Sequence, residues 1–248
     1  MNSFIEIIFK PVLFLFRMTN PIKIISKKEY ESRFGKPNQE EIWDNISNPW
    51  KTYVVKEIEI VKEFLENKKG LVIDLGCGNG RNMIFSKDLE YYGVDFSKIQ
   101  IEHAMFSAKQ KGVNAKFFKS SAHKFDKKIF KNSMFDYGLF IATLHCIETK
   151  KQRTASLKEF YRVLKKGSLG IISVWNSEDK RFNSVNNSGD IYMSWEENKI
   201  PYMRYYYLYK KEEFLDEIVR AGFKIEFFYP PREHDRFSKK NWIVRVKK

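Results

Sequence analysis

The segment VIDLGCGNG at positions 72–80 carries residue types that could hold a nucleotide-like ligand. Gly76 and Gly78 have no Cβ, so the backbone can turn tightly there and a ligand can lie directly against it. Gly80 would let a following helix begin close to the preceding strand, and Asp74 places an acid just before the loop. The pattern predicts a binding loop between a buried strand and a helix.

A second acid follows at the distance expected for a neighbouring strand. Asp95 lies nineteen residues after Gly76 and ends the apolar segment YYGVD. A carboxylate in this position can accept hydrogen bonds from both hydroxyls of a ribose, and the adjoining Phe96 could cover an adenine face. A glycine loop alone is weak evidence, whereas the loop and the acid together are typical of a nucleoside-binding site.

The spacing of the loop bears on which cofactor is bound. A nicotinamide dinucleotide site usually reads G-x-G-x-x-G and leaves a helix N-terminus open to the pyrophosphate. Here the glycines follow G-x-G-x-G, and a carboxylate at Asp74 suits the cationic end of S-adenosylmethionine better than a pyrophosphate. S-adenosylmethionine is therefore the predicted cofactor, and a glycine turn in a non-binding α/β protein is the alternative.

The elements that would position these residues alternate along the chain. Short apolar runs predict strands at 71–75, 91–95, 115–119, 135–141 and 169–175. Periodicity and capping residues predict helices at 54–67, ended by Gly70, at 80–88, from the Ser97 cap to Lys111, and around 157–164, ended by Gly167. A polar segment at 176–200, interpreted as an irregular inserted loop, precedes a helix at 211–221 and strands at 223–229 and 241–247. This order predicts an α/β fold with a doubly wound parallel sheet, whose ligand binds beyond the carboxyl ends of the strands.

In the glycine loop and the acid that ends the second strand, residues 54–247 resemble class I methyltransferases. The resemblance implies a mostly parallel seven-stranded sheet with an antiparallel last strand. It implies cofactor contacts from Asp74, Gly76, Cys77, Gly78, Asn79, Gly80, Asp95, Phe96, Ser97, Ser121, Ala122, His123 and Ile141. Members often carry an Asp before the alanine that corresponds to Ala122, but Ser121 stands here. We therefore expect the backbone of Ala122 to serve the adenine.

A finer resemblance, to the tRNA wobble-uridine methyltransferases, rests on several segments in order. These are EEIWDNIS at 40–47, IATLHCIETKKQR at 141–153, Trp175, RYYYLYKKEEF from Arg204, and NWIV from Asn241. That family converts a 5-carboxymethyl group on the anticodon uridine into its methyl ester. IATLHCIE does not match the N-P-P-[YF] signature of enzymes that methylate base amino groups. One departure is Cys146, which stands where a second histidine often follows the first.

The family match gives His145 and Arg153 as catalytic candidates, and its carboxyl-terminal motif adds Arg204 and Tyr206. A carboxylate acceptor is already anionic at pH 7, so it needs orientation and exclusion of water rather than a general base. An alcohol or ring nitrogen would need a base, and His145 could be one. A purely structural role is the alternative for each residue: a loop cap for His145, a solvated helix face for Arg153 and core packing for the tyrosines.

The charge also favours a polyanionic partner. The chain has 45 Lys and Arg against 31 Asp and Glu, a formal net charge of +14. Many of the cations lie in predicted loops: Lys127, Lys128, Lys131, Lys150, Lys151, Lys210, Lys211, Arg232, Arg236, Lys239 and Lys240. A tRNA anticodon arm would meet such loops through its phosphates. The alternative explanation of the charge is a lysine bias of the genome. The alternative functions are methylation of a small carboxylate or phenol, and a catalytically silent role in binding the cofactor or RNA.

The resemblance further implies a small zinc-binding activator protein as a partner. We expect it to dock along AKFFK at 115–119, because this third strand would lie at the sheet edge and carries Phe117 and Phe118.

The two ends of the chain complete the domain prediction. Residues 1–39 are predicted as an extension and 40–248 as the methyltransferase domain, with an inserted substrate-side loop at 176–210. The apolar run from Ile5 to Phe16 is broken by Lys10 and Pro11 and is too short to span a bilayer, so an overextended start before Met18 is one interpretation. Two cysteines offer no metal cluster and suit a reducing, cytoplasmic compartment.

Overall fold

The computed structural model describes residues 23–49, 56–185 and 189–248. Its strands are β1 (Ile24–Ser26), β2 (Gly70–Leu75), β3 (Leu89–Asp95), β4 (Ala115–Lys119), β5 (Phe135–Ile141), β6 (Leu164–Trp175), β7 (Gly189–Glu197), β8 (Ile200–Leu208), β9 (Lys224–Tyr229) and β10 (Asn241–Lys247). Its helices are α1 (Lys27–Phe34), α2 (Gln39–Asn45), α3 (Glu59–Leu65), α4 (Lys98–Lys111), α5 (Lys150–Val163), α6 (Lys211–Arg220) and α7 (Arg236–Lys240). Short 3-10 turns lie at Leu144–Cys146 and Lys180–Val185.

The main sheet has seven strands in the order β4-β3-β2-β5-β6-β10-β9. Neighbours from β4 to β6 run parallel, whereas β10 is antiparallel to both β6 and β9. The prediction of a doubly wound, mostly parallel sheet with an antiparallel last strand is confirmed. Successive residues of β2 enter opposite core layers, since Ile73 packs with Val94 and Phe140 while Val72 packs with Leu139.

Helix α4 follows the sequence signals closely. Ser97 is its N-cap, and its hydroxyl accepts the backbone N–H of Gln100 at 3.1 Å. Gly112 ends the helix in the left-handed conformation, with φ +65°. The cap therefore places the first turn of α4 beside the carboxyl end of β3.

Three sequence predictions about helices are wrong: one helix is absent, and two end before the expected glycine. No helix forms at 80–88; the chain turns there, because Gly80 takes φ +78° and Asn82 directs its side chain to Asp74. Helix α3 ends at Leu65, and Gly70 instead begins β2. Helix α5 ends at Val163, and Gly167 lies inside β6.

The irregular loop predicted for 176–200 is also wrong. Strands β7 and β8 form a hairpin, and β1 pairs with β7 to complete a three-stranded antiparallel sheet. The hairpin turns at Asn198 and Lys199, which have φ +49° and +63°; two residues with positive φ are typical of a tight hairpin turn. The enrichment of IYMSW and YMRYYYL in aromatic residues was the available signal.

The predicted N-terminal extension begins outside the described residues and then joins this second sheet. Beyond β1, helix α1 contacts β7 through Tyr30, whose ring lies 4.9 Å from that of Tyr192. The apolar run at 5–16 and part of the predicted helix at 54–67 lie outside the described residues. Within them, no helix combines the length and the apolar composition needed to cross a membrane.

Candidate active site

A cavity of about 350 Å³ lies at the carboxyl ends of β2, β3 and β5. Its walls come from the glycine loop, the end of β3, the segment after β4, the turn after β5, and helix α2. The lining residues are Asn38, Gln39, Glu40, Trp43, Gly76, Cys77, Gly78, Asn79, Arg81, Asn82, Val94, Asp95, Phe96, Gln100, Ser120, Ser121, Ala122, His123, Ile141, Ala142, Thr143, Cys146, Ile147, Glu148 and Gln152. The cavity thus lies where the sheet topology predicts a ligand.

The glycine loop is shaped by close contacts on one side and open space on the other. Gly76 has φ +69°, and a Cβ there would lie 2.2 Å from the side chain of Thr143. Gly78 has φ +53°, but the nearest atom to a Cβ there is Oε1 of Gln100 at 3.8 Å. The loop therefore presses against the turn after β5 at Gly76 and exposes its backbone to the cavity at Gly78.

Asp74 lies beneath the loop and does not line the cavity. It is fully buried, and its Oδ2 accepts hydrogen bonds from Asn82 Nδ2 at 3.1 Å and from the Tyr91 hydroxyl. Burial raises the pKa of this carboxyl group to about 7, against the opposing effect of both hydrogen bonds. The structure therefore places Asp74 behind the loop, where it joins β2, β3 and the turn at Asn82. Gly80 likewise does not line the cavity.

Asp95 connects the end of β3 to the loop. Its Oδ2 accepts the N–H of Gly78 at 3.0 Å, and its Oδ1 accepts the N–H of Ser97 at 2.9 Å. Burial raises the pKa of Asp95 to about 6. Ser97 itself is fully buried, and its hydroxyl donates to Asp44 at the end of α2. Asp95 is therefore at the cavity wall, while Ser97 supports it from behind.

The other predicted cofactor residues do reach the cavity. Phe96, Ser121, Ala122, His123 and Ile141 line it together with Cys77 and Asn79. Burial and the charge of Lys124 lower the pKa of His123. The segment after β4 thus faces the glycine loop across the cavity.

Two lining elements were not recognised as site residues from the sequence. Gln100, on the first turn of α4, is 2% exposed, and its buried Oε1 has no hydrogen-bond partner among the described residues. Helix α2 covers the cavity with Gln39, Glu40 and Trp43. The position of Gln100 three residues after the Ser97 cap was the signal available for the first. For helix α2, the segment EEIWDNIS indicates a family resemblance but not a position at the cavity.

The turn after β5 holds a strained backbone at the cavity wall. Ala142 has φ +51°, and its N–H donates to the carbonyl oxygen of Ser173 at 3.1 Å and to its hydroxyl at 2.9 Å. Thr143 Oγ1 donates to the carbonyl oxygens of Gly76 at 3.3 Å and Ile141 at 3.0 Å. A non-glycine residue in this conformation is held against its preference. The hydrogen bonds of Ala142 and Thr143 hold this turn against the glycine loop, and Cys146 follows in the chain.

Comparison with known sequences decides what this site belongs to. The family described as a methyltransferase domain matches residues 66–222, which contain the glycine loop, Asp95 and the turn after β5. The chain belongs to this methyltransferase family. The prediction of an S-adenosylmethionine-dependent methyltransferase is confirmed.

Relatives and solved structures agree with this assignment. A tRNA (carboxymethyluridine(34)-5-O)-methyltransferase of Schizosaccharomyces pombe is 24% identical over 245 residues, covering 89% of this chain and 98% of that protein. An S-adenosylmethionine-dependent methyltransferase structure from Methanosarcina mazei has a TM-score of 0.63 at 20% identity, covering 78% of this chain and 98% of its own. A Burkholderia thailandensis 1,6-didemethyltoxoflavin-N1-methyltransferase with bound S-adenosylhomocysteine has a TM-score of 0.64 at 14% identity, covering 90% and 91%. The structural likenesses support the fold.

The methyltransferase presents acceptor atoms that suit a donor-rich cofactor. Within the described residues, Oδ1 of Asn82 and Oε1 of Gln100, both at the cavity wall, are buried without a hydrogen-bond donor. Buried acceptors left unpaired cost about 1–3 kcal/mol each. S-adenosylmethionine carries an ammonium group and two ribose hydroxyls, all of which donate. The open face of Gly78 and these oxygens therefore fit the cofactor.

His145 lies one layer behind the cavity wall of the methyltransferase. It is 1% exposed, and its ring packs 4.9 Å from that of Trp175 and 5.6 Å from that of Tyr206. Burial lowers the pKa of His145 to about 3, and the charge of Arg181 adds to this effect. The imidazole is therefore neutral at physiological pH, next to Cys146, which does line the cavity.

The other three catalytic candidates of the methyltransferase also lie outside the cavity wall. Arg204 packs against the rings of Trp43 and Trp195, at 5.9 and 5.3 Å, and close to Tyr206. Arg153 belongs to a different cluster: its guanidinium lies 3.7 Å from the Tyr207 ring and donates to the Ile147 carbonyl at 3.1 Å. The structure thus brings His145, Tyr206 and Arg204 together and separates Arg153 from them.

Proposed function

We propose that this methyltransferase converts the carboxymethyl group of a modified wobble uridine in tRNA into its methyl ester. One observation carries the proposal: the similarity to the Schizosaccharomyces pombe enzyme of that name extends over 98% of its length. That alignment covers 89% of this chain, so it extends well beyond the matched methyltransferase domain. The relationship therefore includes segments outside the common cofactor fold.

The chemistry of the acceptor side favours a carboxylate. A phenol or ring nitrogen would need a base whose pKa lies near the working pH. Burial holds the pKa of His145 near 3 and raises that of the cavity-lining Cys146 to about 12. Neither group is therefore suited to take a proton at neutral pH. A carboxylate arrives without a proton to remove and needs only to be oriented close to the methyl group.

The residues of the cavity divide into a cofactor side and an acceptor side. We propose that Gly76 to Asn79 and Gln100 hold the amino-acid end of the cofactor, that Asp95 accepts from its ribose, and that Phe96 and Ser121 to His123 enclose its adenine. When bound, S-adenosylmethionine supplies an electrophilic methyl group. Ala142, Thr143 and Cys146 would form the wall next to it.

Behind that wall, we propose that His145 and Tyr206 hold Cys146 in position and that Arg204 acts on the acceptor through its charge. Arg204 supplies a positive charge near Cys146, whose pKa it lowers against the larger effect of burial. Such a charge favours an incoming carboxylate. We further propose that α2 and the β7–β8 hairpin exclude water from the acceptor. Arg153 of α5 contacts Tyr205 and Tyr207 of β8, and we propose that it positions these two elements.

The activator remains part of the proposal. Strand β4 lies at the edge of the main sheet, and its Phe117 and Phe118 are half-buried. An edge strand presents unpaired backbone groups that a partner strand can use. We therefore propose that a small zinc-binding activator protein docks along β4. Lys119→Pro removes a backbone N–H that points away from β3, so it should prevent co-purification with that partner while leaving S-adenosylmethionine binding intact.

The test is a labelled-methyl assay on tRNA that carries carboxymethyluridine but lacks the ester, with and without the activator. Nucleoside mass analysis should show a methyl ester on uridine, and tRNA with an unmodified uridine should accept nothing. The Asp95→Ala variant is the negative control. Transfer to small carboxylates or phenols but not to the tRNA, by protein that binds the cofactor, would overturn the proposal.

A further inference from the structure

Five cations from two segments of the chain meet behind the acceptor side. Lys180 and Arg181 begin the 3-10 turn after β6, and α7 contributes Arg236, Lys239 and Lys240. The N–H of Asn176, at the end of β6, donates to the carbonyl oxygen of Lys240 at 2.9 Å. This bond fixes the two segments side by side, and we call the five residues the basic surface.

Two acidic residues of these segments are already used within the protein. Asp235 caps α7, accepting the N–H groups of Phe237 at 2.8 Å and Ser238 at 3.1 Å. Asp179 accepts the N–H of Arg181 at 3.0 Å and lies 3.6 Å from its guanidinium. In the described part of the chain, Lys180, Arg236, Lys239 and Lys240 form no ion pair. The basic surface therefore keeps a net positive charge.

The cations repel one another in the protein alone. The pKa of Lys240 is lowered by partial burial and then by the positive charges of Arg181, Arg236 and Lys180, while Asp179 opposes them. Like charges held close together are destabilising unless a counter-charge joins them. The exposed side chains of Lys180, Arg236 and Lys239 are open to such a ligand.

Other cations singled out in the sequence are engaged within the protein and are less open to a polyanionic ligand. Arg232 forms a two-pronged ion pair with Glu63 at 2.6 and 2.7 Å, and Lys211 lies over the ring of Phe228 at 4.6 Å. Some of the 45 Lys and Arg side chains are therefore engaged in contacts within the protein. This contrast singles out the basic surface from the larger set of basic residues in the sequence.

The basic surface is joined to the acceptor side by stacked rings. The guanidinium of Arg181 lies 4.6 Å from the Trp175 ring, and Trp175 lies 4.0 Å from Tyr206 and 4.9 Å from His145. A phosphate held at the basic surface would therefore lie on the same side of the molecule as an acceptor group near Cys146.

We propose that Lys180, Arg236, Lys239 and Lys240, steadied by Arg181, bind the phosphate backbone of the RNA whose nucleotide enters the cavity. Phosphate contacts of this type fix position and orientation without reading sequence. They also displace counterions, so binding weakens steeply with salt. The proposal rests on the proposed function only in naming RNA as the polyanion.

The test compares two triple variants with equal charge changes. The first is Lys180→Ala, Arg236→Ala, Lys240→Ala. The control is Lys87→Ala, Lys158→Ala, Lys166→Ala, whose exposed cations lie outside the basic surface and have no ion pair in the described part of the chain. Fluorescence anisotropy with a labelled anticodon stem-loop RNA, across a salt series, gives the affinity and its salt dependence for each.

The first variant should reduce the slope of log affinity against log salt by about 2 to 3 units, as three lost phosphate contacts require. S-adenosylmethionine affinity should stay unchanged, which also shows that the variant is folded. Equal slopes for the two variants would overturn the proposal. Methyl-ester formation by the wild-type enzyme separately tests the proposed function: RNA binding that depends on the basic surface, without any ester, would support the surface and reject the function.

Discussion

The two halves of the cavity are built in different ways. The cofactor half comes from one continuous stretch, residues 70–123, in which Asp95 bonds directly to Gly78 and Ser97. The acceptor half joins residues far apart in sequence: the side-chain amide of Gln39 donates to the Met203 carbonyl at 3.2 Å and accepts the Tyr205 N–H at 2.8 Å. Local chemistry fixes the first half, whereas tertiary packing fixes the second.

This difference separates two kinds of substitution. A change in the cofactor half removes a contact to the ligand itself, so its effect should appear in cofactor affinity. A change in the acceptor half disturbs how α2 and the hairpin meet, so its effect should appear in stability and in the affinity for the acceptor. Single substitutions in each half show whether the two effects separate in this way.

Replacing Asp95 with alanine should have the largest effect. The variant loses an acceptor for the ribose hydroxyls and the anchor of the Gly78 N–H. Hydrogen bonds to a charged group contribute about 1.5–3 kcal/mol each, so calorimetry should show an S-adenosylmethionine affinity at least about 100-fold weaker. Asp126→Ala is the matched control, because Asp126 also accepts a local backbone N–H, that of Lys128 at 2.8 Å, but lies in an exposed loop. A similar loss in both variants would show that the effect is not at the site.

Acid should weaken the binding of the cofactor through Asp95. Because burial raises the pKa of Asp95 to about 6, the group takes up a proton between pH 7 and pH 5 and stops accepting from two hydroxyls. Affinity for S-adenosylhomocysteine should therefore fall about tenfold one unit below that pKa. Asp95→Asn should flatten the profile, and a profile unchanged in that variant would assign the titration elsewhere.

The stability of the fold should change in the opposite direction with pH. The folded-state pKa values of Asp74 and Asp95, about 7 and about 6, lie above the ordinary value of 3.8. The folded state therefore binds more protons than the unfolded chain between about pH 4 and pH 7, and these two groups lower stability as pH rises through that range. Urea denaturation of Asp74→Asn against the wild type should show this slope reduced.

Gly78 and Gly112 form a matched pair that separates backbone strain from ligand contact. Both have positive φ, +53° and +65°, and a Cβ at either position meets no protein atom closer than 3.7 Å. Alanine should lower stability by about 1 kcal/mol at both sites. Only Gly78→Ala should weaken cofactor binding, by about tenfold, because its methyl group enters the cavity. Equal binding by both variants would mean that the loop does not approach the ligand at Gly78.

The same contrast explains what the sequence could and could not predict. The glycine loop, Asp95 and the Ser97 cap were recognised because their chemistry depends on residues close in sequence. The helix expected at 80–88 is wrong because apolar periodicity does not report that Gly80 takes a positive φ or that the Asn82 side chain turns inward to the buried Asp74. The cover from α2 could not be predicted, since nothing near Gln39 in sequence indicates that its partners lie on β8. The environments of Arg153 and Arg204 were likewise set by rings on distant strands.

Gln39→Ala should have the smallest effect on the cofactor and is the sharpest test of separate halves. The substitution leaves the Met203 carbonyl and the Tyr205 N–H without their side-chain partner, which should lower stability by about 2 kcal/mol in chemical denaturation. The exposed Gln110→Ala is the control and should lower it little. S-adenosylmethionine affinity should change less than twofold in Gln39→Ala, while KM for RNA rises because α2 no longer holds its position over the cavity. If cofactor affinity instead fell as far as RNA affinity, α2 would have to be counted as part of the cofactor half. The division between a locally encoded half and a packed half would then fail at this helix, although Asp95 and Gly78 would keep their roles.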